Sequence, residues 1–228
     1  MYRRLAFLAA LLITALAAPS QAQTLGTGTI IQSGYGVNRI ERVDDIDSHP
    51  DGGWVILDAN HGLASKYRAD GSYDHIVATA EDMQAPGITP DIRSISVDRL
   101  GYVYAAGPSG IARFQPDGTF DRFLTDVDLD VVDTAIDATG QLLVLTPTSL
   151  SVFSRAGNLV ATITNIGNSG ANPISDALGL AALPNGNIVL LHREGHLTLL
   201  DNRFRQLRDI SPEPALGNVR AFADGRVV

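Results

Sequence analysis

The chain contains no cysteine, which excludes both a disulfide framework and lipid attachment through a cysteine thiol. It has no long run of like charge, and a hydrophobic content of 45% argues for a packed domain rather than disorder. Positive charge is scarce: 17 Lys and Arg against 25 Asp and Glu give a formal net charge of −8, which speaks against nucleic acid as a partner. Long apolar stretches are confined to one place. The run Leu5 to Ala18, about 14 residues, falls short of the ~20 that a spanning helix needs, and no second run follows.

That run has a context. Arg3 and Arg4 precede it and Pro19-Ser20-Gln21-Ala22 follow it, the charged, apolar and small-residue order of a secretory signal peptide. Cleavage is expected between Ala22 and Gln23; retention as a membrane anchor is the alternative. Residues 1–22 would then be removed and residues 23–228 would form a single domain of formal charge −10. It would have no stable membrane span, would reside in the periplasm or outside the cell, and would be held together by core packing alone.

What is present above all is a repeat. A segment built on Asp-Gly, Asn-Gly or a related turn, followed by an apolar strand, recurs around Gly52, Gly101, Gly140, Gly186 and Gly225, at steps of 49, 39, 46 and 39 residues. Such steps match the period of roughly 40 to 50 of a β-propeller blade. Each of the first four copies has a second turn, at Gly71, Gly118, Gly157 and Arg203, spaced 19, 17, 17 and 17 residues from the first. Asp-Gly and Asn-Gly supply the positive φ of tight hairpins, and the flanking apolar residues supply strands buried between neighbouring blades. One blade cannot cover its own two faces; blades stacked about an axis can. The spacing predicts strands over 43–48, 53–58, 63–68 and 73–78, then 93–98, 102–106, 111–115 and 120–124. A third set falls at 133–137, 141–145, 150–154 and 159–163, and a fourth at 178–183, 187–192, 196–201 and 206–210. Trp54, Tyr102, Tyr104, Phe114, Phe120 and Phe153 fall at strand positions, where packing between blades is expected.

The succession of an apolar strand, Asp-x-x-Gly, a Val-Tyr strand, an aromatic-ending strand and Pro-Asp-Gly-Thr-Phe resembles NHL-repeat propellers. It is clearest over residues 94–124 and weaker over 42–210. The turns at 70–74 and 117–121 are also similar to the delta-sixty repeat of secreted bacterial proteins. The resemblance implies an all-β fold, a β-propeller of four-stranded blades in a ring of six, of which four complete blades and a partial fifth are visible. Because the text stops at Arg226-Val227-Val228, inside an expected strand, the sequence is expected to be a gene product truncated at its C-terminus. A five-bladed ring stays open as an alternative, with residues 27–40 completing the last blade.

The long connections 79–92, 125–132, 164–177 and 211–218 should share one mouth of the axial channel with the turns 58–62, 106–110, 146–149 and 192–196. Long loops on a rigid scaffold are where binding resides. At that mouth His192-Arg193-Glu194-Gly195-His196 sets one histidine on each end of a hairpin, so His192 and His196 are the candidate ligands of a divalent metal ion, with Glu194 or Asp58 as an oxygen donor. Two solvated turn histidines are the competing reading. Asp58 and His61 stand in the matching turn of the first blade. Asp126, Asp128 and Asp130 alternate on one face of an extended segment, with Asp133 beyond, as calcium ligands or as a solvated strand edge. His49 and His75 carry no expected role, and the inner strands show only scattered carboxylates. Gly167-Asn168-Ser169-Gly170 has Asn168 where the serine-protease signature has an acid and is rejected. No nucleophile elbow, phosphate loop or dinucleotide fingerprint occurs in a strand-to-helix context. The expectation is an exported binding scaffold for a protein, peptide or glycan. The alternative is a metal-dependent lactonase-type hydrolase or lyase acting in the axial channel.

Overall fold

Gly52, Gly101, Gly140 and Gly186 all have φ between 83° and 89°, where a side chain is rarely tolerated. Their turns are built alike. Each glycine N–H reaches the carbonyl three residues back, on His49, Asp98, Asp137 or Leu183. The N–H of that residue in turn bonds the carbonyl of Gly53, Tyr102, Gln141 or Asn187, all at 2.8–3.0 Å. Repeated chemistry therefore makes repeated hairpins, each joining the first two strands of a sheet.

The computed structural model describes residues 40–83, 91–108, 110–125, 130–166 and 172–210, and they form four antiparallel four-stranded sheets. The first is β1 (Asp45–Ser48), β2 (Trp54–Asp58), β3 (Leu63–Tyr67) and β4 (Tyr73–Thr79); the second is β5 (Ser94–Val97), β6 (Val103–Gly107), β7 (Gly110–Phe114) and β8 (Phe120–Thr125). The third is β9 (Asp133–Ile136), β10 (Leu142–Leu145), β11 (Leu150–Phe153) and β12 (Leu159–Ile163). A hairpin of β13 (Asn165–Ile166) and β14 (Asn172–Pro173) precedes the fourth, β15 (Ala177–Ala182), β16 (Ile188–His192), β17 (Leu197–Leu200) and β18 (Gln206–Ile210). The repeat predicts neither this hairpin nor the 3-10 turn Ala80–Met83. In each sheet the strands are ordered as in the chain, and the first strands β1, β5, β9 and β15 neighbour one another in turn. This is a β-propeller.

Period-two alternation divides each second strand between two seams. Val103 and Ala105 of β6 join the core shared with the first blade, alongside Val55 and Leu57, while Tyr104 and Ala106 join the next core, with Leu142 and Val144 of β10. Leu143 and Leu145 turn the other way and meet Ile188 and Leu190 of β16. Burying a leucine this fully contributes about 1.5–3 kcal/mol, so the seams rather than the sheets hold the fold. The expected packing role of the aromatics holds for Tyr104, Phe114 and Phe153, which are buried. Phe120 is instead 41% exposed and leans edge-on against Phe114.

The fourth copy departs from the spacing. There the residue in the glycine place of the second turn is Phe204, not Arg203: Phe204 N–H bonds the Asp201 carbonyl and its φ is 62°. Asp201 Oδ1 holds the turn by accepting the N–H groups of Arg203 and Arg205, both at 2.9 Å, and Phe204 packs against the third seam.

The expected signal peptide, the strands suggested for 27–40 and the partial fifth blade around Gly225 lie outside the described residues. Among the described residues no helix is long and apolar enough to cross a membrane.

Candidate functional site

Asp45, Ser94 and Asp133 occupy one and the same place in successive blades, opposite Leu57, Ala106 and Leu145, each five residues past its marker glycine. An innermost strand has a sheet partner on one side only, so its other edge presents N–H groups that need acceptors. Here the preceding blade supplies them. Asp45 Oδ2 accepts Ile95 N–H at 2.9 Å, Ser94 Oγ accepts Thr134 N–H at 3.0 Å, and Asp133 Oδ2 accepts Leu180 N–H at 2.7 Å. Asp47 Oδ2 adds Val97 N–H at 2.7 Å, and Ser94 Oγ lies 3.0 and 3.1 Å from the two flanking carboxylates. The inner-strand carboxylates Asp45 and Asp133 thus share one register, two blades apart, and both are buried and engaged by backbone donors. In the fourth blade that place is Gly179, opposite Leu191.

Beyond this network, toward the marker turns, the inner strands enclose an axial cavity of about 320 Å³ whose walls include Ile46, Ser96, Arg99, Thr134, Asp137 and Leu180.

The other end carries two polar hollows. One, about 360 Å³, lies between the first two blades, lined by Arg42, Asp44, Asn60, Asp91 and Arg93 among others. Arg42 pairs with Asp44 at 2.5 Å, and Arg93 with Asp130 at 2.6 Å and Asp91 at 3.2 Å. Nearby, Asp58 is buried. Burial pushes its carboxyl up, but Glu41 N–H at 2.7 Å, His61 Nδ1 at 3.0 Å and Arg42 N–H at 3.5 Å together hold it below its ordinary value. His61 Nε2 faces Glu41 at 3.7 Å. Asp58 and His61 therefore do meet, as the sequence suggests, but neither lines the hollow that holds His192.

The second hollow, about 390 Å³, is lined by Asp176, His192, Glu194, His196, Thr198 and Asp209 among others. His192 and His196 do come together: their rings stack in parallel, centroids 4.2 Å apart and planes within 6°. His192 Nδ1 lies 3.2 Å from the Ser175 carbonyl and so carries a proton, and Nε2 lies 3.0 Å from Thr198 Oγ1, itself 2.8 Å from Asp209 Oδ1. With neutral imidazole the Thr198 hydroxyl donates to Nε2; with imidazolium, Nε2–H donates to Thr198, whose hydroxyl then donates to Asp209. Burial pushes the His192 imidazole down, as does His196, against the Ser175 carbonyl, Asp209 and Asp176. Both His192 nitrogens are engaged inside the protein. Lone pairs in parallel ring planes run side by side rather than converging at the ~2.0–2.1 Å of a zinc–imidazole bond. Among the described residues no group of three or more His, Asp or Glu side chains is placed to hold a metal ion. As arranged, the pair does not fit a metal centre.

Asp126, Asp128 and Gly167-Asn168-Ser169-Gly170 lie outside the described residues, whereas Asp130 and Asp133 part company, one on Arg93 and the other in the axis. The residues that sequence reasoning missed are Asp45, Ser94 and Thr134. Counting five residues on from each marker glycine, and then across the ladder to the innermost strand, would have aligned Asp45, Ser94 and Asp133.

No protein-family model matches the chain, and no curated protein matches it in sequence. Solved structures do resemble it. Virginiamycin B lyase from Staphylococcus aureus superposes with a TM-score of 0.60 at 12% identity, over 83% of this chain and 63% of that one. A nidogen/laminin complex gives 0.59 at 14%, over 77% and 66%. The Pan2 WD40 domain of Neurospora crassa gives 0.53 at 10%, over 75% and 52%. The chain spans less than two thirds of each neighbour's length. At such identities the likeness is one of fold, and fold alone assigns no activity.

Proposed function

We propose that the protein is an exported, NHL-like β-propeller that acts as a binding scaffold, holding a protein, peptide or glycan at the loop-rich end of its axis. The observation that carries this reading is the pair of polar hollows at that end, about 360 and 390 Å³, set in short turns of the packed blades. Their size suits recognition of side chains or sugar units. A neighbouring fold is found in a complex between two proteins, nidogen and laminin, which is compatible with a protein partner here. Export rests on the N-terminal pattern of Arg3, Arg4 and Leu5 to Ala18. The alternative, a metal-dependent lactonase-type hydrolase or lyase, needs ligands that converge, and the His192–His196 stack offers none that do.

Photo-crosslinking tests the scaffold. A crosslinker placed at Asn60 or Glu194 should capture one discrete partner from the exported fraction, and the same group at Leu207, on the outer strand β18, should not. Equal capture at all three positions, or turnover of a lactone or ester panel by the metal-supplemented protein, would overturn the scaffold reading.

A further inference from the structure

The first seam carries two histidines at places that the other blades give to other residues. The turn place of His49 is held by Asp98, Asp137 and Leu183 in the other blades. His75, opposite Lys66 in the β3–β4 ladder, is matched by Arg122, Ala161 and Arg208. His49 is 8% exposed, and its Nδ1 lies 2.7 Å from Asp51 Oδ1. That contact, shorter than the 3.4 Å to Asp51 N–H, places the proton on Nδ1. Asp51 Oδ2 meets the ammonium of buried Lys66, the only lysine in the sequence, at 2.5 Å. Lys66 also lies 3.7 Å from Asp74, which pairs with Arg68 and lies 3.4 Å from His75 Nδ1. A chain of alternating groups, His49, Asp51, Lys66, Asp74 and His75, thus crosses the first blade.

Its two ends abut the two turns of the second blade. A Cβ on Gly101 would stand 2.8 Å from His49 Nε2, and one on Gly118 would stand 3.5 Å from His75 Cδ2. Both Nε2 atoms are buried without a hydrogen-bond partner. Their surroundings differ. From its own blade His49 faces Asp51 and Lys66, and its Nε2 abuts Gly101 of the second blade, beside Pro116. His75 faces Asp74 and Lys66 from its own blade and Asp117 from the second, so a proton on His75 has a carboxylate across the seam, whereas the buried Nε2 of His49 meets a glycine.

We infer that His49 is an acid-sensitive latch between the first and second blades: a proton taken up at Nε2 puts an N–H against Gly101, where no acceptor lies, and loosens that seam. A buried donor without an acceptor is destabilising. The second seam, between Tyr104 and Val144, contains no histidine in its core.

Amide hydrogen exchange, corrected for intrinsic rates, tests the latch at pH values of about 7.5 and about 5. Amides of the turns at 49–53 and 98–102 should exchange at least about tenfold faster in acid, while Leu142–Leu145 in the second seam should not change. His49→Gln should abolish the difference at both turns. Equal loosening of both seams, or the same acid response in His49→Gln, would overturn the proposal. Should that variant fail to fold, the comparison of seams within the unaltered protein still decides, because uniform exchange excludes a local latch.

Discussion

Asp45 on the innermost strand of the first blade accepts the backbone N–H of Ile95 on the innermost strand of the second, at 2.9 Å. Fifty residues apart in the chain, they are joined because the free edge of one inner strand needs an acceptor that only the neighbouring blade can bring. Ser94 with Thr134, and Asp133 with Leu180, repeat the contact. The interior of the ring is therefore laced by side chain to backbone bonds as well as by apolar packing.

Removing such a lace exposes its value. Asp45→Ala leaves the N–H groups of Ile95 and Ile46 without their carboxylate and should cost about 1–3 kcal/mol. Asp45→Asn, which can accept through one atom only, should fall between that variant and the original chain. Urea unfolding of the three proteins measures the order.

Lys66 and Asp51 should respond asymmetrically. Asp51→Asn strands a buried ammonium with only Asp74, at 3.7 Å, and should cost about 2 kcal/mol or more. Lys66→Met leaves a carboxylate that is half exposed and should cost less, about 1 kcal/mol. Lys66 holds the Asp51 carboxyl well below the usual range. A carboxyl lowered in the folded state contributes stability that is whole above the unfolded value of about 3.9 and is lost as pH falls through and below it. The acid limb of a stability profile should flatten in Asp51→Asn.

His192 shifts the profile at a higher pH. Its imidazole is pushed below 6.5 by burial, so the unfolded chain takes up the proton first as pH falls. The stability contributed by neutral His192 is complete above about 6.5 and is lost below it. Thermal unfolding between about pH 8 and about pH 5 should show this slope reduced in His192→Gln. Thr198→Val, which removes the hydroxyl that His192 Nε2 meets in either protonation state, should cost about 1 kcal/mol. Added zinc should leave the melting temperature unchanged. A zinc-dependent rise abolished by His196→Ala would mean that the rings leave their stack to bind the ion.

Arg113 should not tolerate lysine. Its guanidinium reaches Asp121 at 2.5 and 2.7 Å and the Arg155 carbonyl at 3.0 Å, and lies 4.8 Å over the Tyr102 ring. An ammonium cannot make the two-pronged bond and the ring contact together. Arg113→Lys should lose about 1–2 kcal/mol by calorimetry.

Much of the architecture was legible because turns and strand alternation are local. Gly52, Gly101, Gly140 and Gly186 announce their hairpins by residue type, and the strands that follow lie within two residues of their expected bounds. The small hairpin at Asn165–Ile166 and Asn172–Pro173 was not legible, for no turn signal of the repeat marks it. Neither was Phe204 at positive φ, since Asp201 anchors that turn and lets a bulky residue take the place of glycine. The candidate site was read in part. The sequence places His192 and His196 at the two ends of one turn, and they do meet, but whether their nitrogens point at a common ion or at Ser175 and Thr198 depends on ring orientation.

The sequence by itself determined the blade: its period, its hairpins, and which strands would be buried on both faces, because φ preference and side-chain alternation act within a few residues. The tertiary structure alone decided what the polar groups of those blades do. Asp45 became a lace between blades, His192 a buried hydrogen-bond partner of Ser175 and Thr198, and His49 an edge pressed on Gly101. Asp45 and His49 depend on atoms about fifty residues away that the stacking of blades brings close, and His192 on the ring orientation that Ser175 and Thr198 fix, and no local pattern in the chain encodes either.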